Sequence, residues 1–66
     1  MEPKYPKIVV PLSGEDGNAF AIIGRVSKAL RRGGVEPDEV KKFQDEATSG
    51  DYDNLLQTCQ KWVTCD

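Results

Sequence analysis

Lys7-Ile8-Val9-Val10-Pro11-Leu12 is the stretch that takes this chain out of the all-helical class. Three consecutive β-branched residues, with Ile8, Val10 and Leu12 alternating onto one face, predict a β-strand. Pro11 has no N–H to give a ladder, so the strand is expected at a sheet edge or with its residue-11 backbone turned outward. A strand needs a partner. The β-prone Trp62-Val63-Thr64-Cys65 is placed to leave a preceding helix and pair with it.

Between these stretches the spacing is helical. Ser13-Gly14-Glu15-Asp16-Gly17-Asn18 is a turn cluster in which Asp16 or Asn18 can cap a helix. Ala19, Ile22, Ile23, Val26, Ala29 and Leu30 then recur at intervals of three and four, and Gly33-Gly34 supplies a left-handed stop. Gly24, inside this helix, is expected to mark close approach of another backbone. Pro37 at a first helical position, followed by Asp38 and Glu39, opens a second helix that buries Val40, Phe43 and Ala47. Thr48-Ser49-Gly50 ends it, and Asp51 caps a third helix carrying Tyr52, Leu55, Leu56, Cys59, Trp62 and Val63. The expected core is Phe20, Ile22, Ile23, Val26, Leu30, Val40, Phe43, Leu55, Leu56, Cys59 and Trp62. Phe20 is included because a small domain seldom leaves a large aromatic uncovered.

The order is β-α-α-α-β: a small α/β (α+β) domain of three short helices packed with a two-stranded sheet. The 66 residues allow one domain, with residues 1–6 expected as a flexible N-terminal segment. Short connections make the helices alternate in direction, bringing the starts of the first and third to one end. Two strands alone leave exposed edges, so a homodimer is expected on physical grounds.

Composition removes several chemistries. With no histidine, imidazole-based nucleophile and metal arrangements are closed, and two cysteines cannot complete a tetrahedral zinc site. No apolar run approaches the ~20 residues that span a bilayer, and the start lacks a signal-peptide core. A cytoplasmic protein without a membrane partner or cofactor is the default expectation.

Net charge is −2 but uneven. The first 17 residues carry two bases and three acids, residues 18–35 four bases and no acid, and residues 36–66 three bases and eight acids. Arg25, Lys28, Arg31 and Arg32 form a basic face suited to an acidic protein partner. The same face before Pro37-Asp38-Glu39 faintly suggests a helix-turn-helix. Acids at the start of its second helix would repel phosphates, so nucleic acid is the weaker reading.

A second candidate is the shared end of the first and third helices, where Glu15, Asp16, Asn18, Asp51, Tyr52 and Asp53 could meet a small ligand or nucleotide. No Gly-Lys-Ser/Thr ending follows the glycine turn, and Leu56 and Trp62 stand where an EF-hand needs glycine and glutamate. Helix capping explains these residues most simply. Cys59 falls on the apolar stripe, whereas Cys65 lies outside it.

Gly14-Glu15-Asp16-Gly17-Asn18-Ala19-Phe20-Ala21-Ile22-Ile23-Gly24-Arg25-Val26, with Ala29-Leu30-Arg31-Arg32 and Glu46-Ala47-Thr48-Ser49-Gly50-Asp51-Tyr52-Asp53-Asn54-Leu55-Leu56, resembles a family of short uncharacterised proteins from bacteria and their phages. The resemblance implies a stand-alone intracellular protein. It assigns no activity or binding residue and lends no support to a cysteine-based role.

No acid–base or nucleophile constellation emerges, so the sequence is read as a binding or regulatory module and not an enzyme. A homodimer with an unidentified protein partner is the leading expectation, and a small-ligand or nucleotide binder the alternative.

Overall fold

Two strands lie side by side and parallel although three helices separate them in the sequence. The computed structural model describes residues 2–12 and 17–66. Its elements are β1 (Tyr5–Val10), α1 (Ala19–Arg32), α2 (Pro37–Ala47), α3 (Tyr52–Trp62) and β2 (Val63–Cys65), the expected β-α-α-α-β order. Parallel strands cannot be joined by a tight hairpin, and the three helices form the long crossover they require.

β1 runs from Tyr5 to Val10, starting and ending two residues earlier than the expected Lys7-to-Leu12 stretch. Lys4 already donates its N–H to the Lys61 carbonyl at 2.7 Å. Tyr5 stacks on Trp62 with ring centroids 6.0 Å apart, so residues 4–6 are built into the fold. At the other end, Asp66 donates to the Val10 carbonyl and accepts from the Leu12 N–H, both at 3.0 Å. Successive residues of a strand direct their backbone groups to opposite edges. Pro11, between Val10 and Leu12, therefore turns its missing N–H away from β2, as its chemistry requires.

Local chemistry sets the helix ends. Asn18 Oδ1 accepts from the Phe20 N–H at 2.8 Å and caps α1. Gly33 ends that helix, and Gly34, at φ +86°, supplies the left-handed step that an L-residue resists. α2 begins with Pro37 behind Glu36, whose side chain makes no cap. Asp51 Oδ1 accepts from the Asn54 N–H at 3.0 Å and caps α3.

The core joins Ile22, Val26 and Leu30 of α1 to Val40, Phe43 and Ala47 of α2 and Leu55, Cys59 and Trp62 of α3. Val10 and Val63 bring the sheet into it, while Ile23 and Leu56 are partly buried against it. Phe43 meets Trp62 edge to face, with centroids 5.9 Å apart. Among the described residues Ser27 and Thr58 are the buried polar side chains, and both are satisfied: Ser27 Oγ accepts from Gln44 at 3.0 Å, and Thr58 donates to the Asn54 carbonyl at 2.7 Å.

Two expectations are corrected. Phe20 is 84% exposed and outside the core. It precedes Ile22 by two residues, roughly 200° around the helix, so its size does not override its position. Gly24 follows Ile22 by two residues and shares that outward face, where a side chain would meet nothing within 4 Å. The close approach lies at Gly33 instead, where a Cβ would come 2.6 Å from Ile8 Cδ1 of β1.

These placements fix how variants behave in denaturant titrations. Phe43→Ala is expected to cost about 3–5 kcal/mol and Phe20→Ala less than about 0.5. Gly24→Ala should stabilise by about 0.5–1 kcal/mol, because it restricts the unfolded chain and meets no neighbour. Equal midpoints for Phe43→Ala and Phe20→Ala would reject this core.

Candidate functional site

The basic face of α1 and the outer side of β1 together form an open groove of about 540 Å³. One wall is the strand, Lys7 to Pro11, and the other is Arg25, Lys28, Ala29, Arg32 and Gly33 of α1 and its end. Helical geometry aligns Arg25, Lys28 and Arg32 within about 60° of one another, and Arg31 lies about 60° beyond Lys28. Three of the four expected cations therefore line the groove and Arg31 does not. Lys7 joins them from β1, a contribution that the spacing along α1 could not reveal.

Among the described residues the groove is lined by Lys7, Arg25, Lys28 and Arg32 and by no aspartate or glutamate. Lys7, Lys28 and Arg32 also take no part in the ion pairs among the described residues. Ile8, Val9, Val10, Pro11 and Ala29 provide apolar surface between the cations. Val9 is 54% exposed, unusual for a β-branched strand residue.

Two acids elsewhere, Glu39 and Glu46, are compensated locally. Glu39 binds both Lys4 and Lys42, and Glu46 accepts from Trp62 Nε1 at 3.2 Å and pairs with Lys61 at 3.9 Å. Lys4 also sits over the Trp62 ring, 4.4 Å from its centroid. Hydrogen bonds from Lys4 and then Lys42 hold the Glu39 carboxyl below the usual carboxylate range, and the Glu39 bond raises Lys4. The Glu39 contribution to folding is thus present above the unfolded carboxylate pKa of about 4.3 and is lost as pH falls through the lowered folded value.

The second candidate end is assembled as the alternating helix directions require. Tyr52 Oη donates to the Gly17 carbonyl at 2.5 Å, joining the starts of α1 and α3. Asn18 and Asp51 are engaged as caps, and Asp53 lies exposed in the first turn of α3. Glu15 and Asp16 lie outside the described residues. A hollow of about 290 Å³ here is mainly apolar, with Ala19, Phe20, Ile23, Tyr52 and Leu55 among its walls. Among the described residues no three acids, cysteines or histidines gather as metal ligands, and no helix is long and apolar enough to cross a membrane.

The chain matches no family model, no curated protein and no solved structure. Its own geometry must carry the functional reading.

Cys59 is buried, and desolvation pushes its thiol up to about 11. Burial also raises Cys65, which is partly exposed. Neither has the depressed pKa of a nucleophile. The Cys59 contribution to stability is fully present below the unfolded thiol pKa of about 8.5 and is lost as pH rises towards the folded value. With iodoacetamide at pH 8, Cys65 should alkylate slowly and Cys59 only after denaturant is added. Rapid labelling of Cys59 in the folded protein would contradict its placement.

Proposed function

We propose that this protein is a binding module whose groove between β1 and α1 receives an acidic segment of another protein. The observation that carries this reading is the lining among the described residues: cations from two elements, of which Lys7, Lys28 and Arg32 join no ion pair of the described residues, no described acid, and apolar surface between them. Such a surface attracts carboxylates over a Debye length and gains additional affinity from the apolar contacts. Pairing β1 of one copy with β1 of another would set these cations against each other. A homodimer joined elsewhere, or a second copy presenting its acidic 36–66 region, is compatible with the same groove. The shared end of α1 and α3 ranks lower as a ligand site, since two of its polar groups cap helices and the Tyr52 hydroxyl bonds Gly17.

Phosphates would also be drawn to the cations, but a duplex reaching the start of α2 would meet Glu36, Asp38 and Glu39. No hydrolytic or transfer chemistry is proposed, because the described lining residues include no hydroxyl, thiol, imidazole or carboxylate.

Fluorescence titration at low salt distinguishes these readings, using an alternating Glu-Val peptide, its Gln-Val counterpart and a duplex DNA. Only the acidic peptide should bind, with affinity falling as salt rises and falling about tenfold or more in Lys28→Glu/Arg32→Glu, whose folding should be nearly unchanged because both side chains are exposed. Duplex binding with a steep salt dependence, alongside no binding of the acidic peptide, would overturn the proposal.

A further inference from the structure

The geometry points to strand addition as the way the acidic segment docks: it extends the sheet by pairing with the outer edge of β1, its acidic side chains facing α1. This inference rests on the groove reading above and adds the binding mode.

Backbone direction supports it. Val10 and Leu12 are committed to β2 through Asp66. Alternation then directs the N–H and C=O of Val9, and the C=O of Pro11, to the opposite edge. The sheet has two strands, so no strand among the described residues covers that edge. An open row of backbone groups next to a groove is what an extended peptide requires, with main-chain bonds giving affinity and alternate side chains giving selectivity. Proline at residue 11 removes one donor there, so pairing centres on Val9.

The two faces of the sheet define the preferred sequence. Ile8, Val10 and Leu12 pack towards the core side on which α1 lies, while the Val9 side chain is exposed on the other. A strand added beside β1 would place every second side chain near Arg25, Lys28 and Arg32 and the intervening ones near Val9. Alternating acidic and β-branched residues satisfy both faces.

The test leaves the folded protein untouched and alters only the peptide backbone. Two versions of the acetylated, amidated Glu-Val peptide are made, one N-methylated at the glutamates and the other at the valines. Both keep the same charge and carry the same kind of backbone change. In a strand only one set of amides faces the partner, whichever direction the peptide runs. One version should therefore bind at least about tenfold more weakly than the other, because its methyl groups block the main-chain bonds to β1. Equal binding of both versions and the parent peptide would overturn strand addition while leaving the charged groove as a docking site. Failure of the parent peptide to bind would overturn both.

Discussion

The structure depends on the parallel pairing of β1 with β2, held where Asp66 bonds Val10 and Leu12 and where Lys4 bonds Lys61. A domain of 66 residues has little interior to spend on unpaired backbone. Bringing the two ends of the sequence together seals the sheet side of the core under Val10 and Val63. It also fixes which edge of β1 is spoken for. Every later feature of the groove follows from that choice, because the edge left over is the one beside α1.

Charge is distributed on the same plan. Lys4, Lys42 and Lys61 sit beside Glu39 and Glu46, so the acidic half of the sequence is partly neutralised within the molecule. Arg25, Lys28 and Arg32 of α1 line the groove beside β1 instead, and Lys7 adds to them. Arg31 and Arg32 in the last turn of α1 also favour the negative end of the helix dipole, so the basic face serves folding as well as the groove.

Much of this was legible in the residues because local signals agreed. Asn18, Pro37, Asp51 and Gly34 each dictate a helix end by their own chemistry, and the structure uses them there. Phe20 shows the limit of an argument from size: the stripe through Ile22, Val26 and Leu30 already excluded it, and periodicity prevailed. Gly24 and Gly33 cannot be distinguished by local sequence, since close approach to Ile8 depends on where β1 settles. For the same reason the α1 cations were readable from their spacing, whereas Lys7 became part of the site only through tertiary pairing.

Backbone amide exchange in the free protein, read residue by residue by NMR, tests the central claim most directly. The Leu12 and Asp66 amides are expected to be protected by their bonds across the sheet, and the Val9 amide, on the open edge, to exchange far faster. Protection of Val9 equal to that of Leu12 would mean that the outer edge of β1 is already occupied, and the groove as described would not exist.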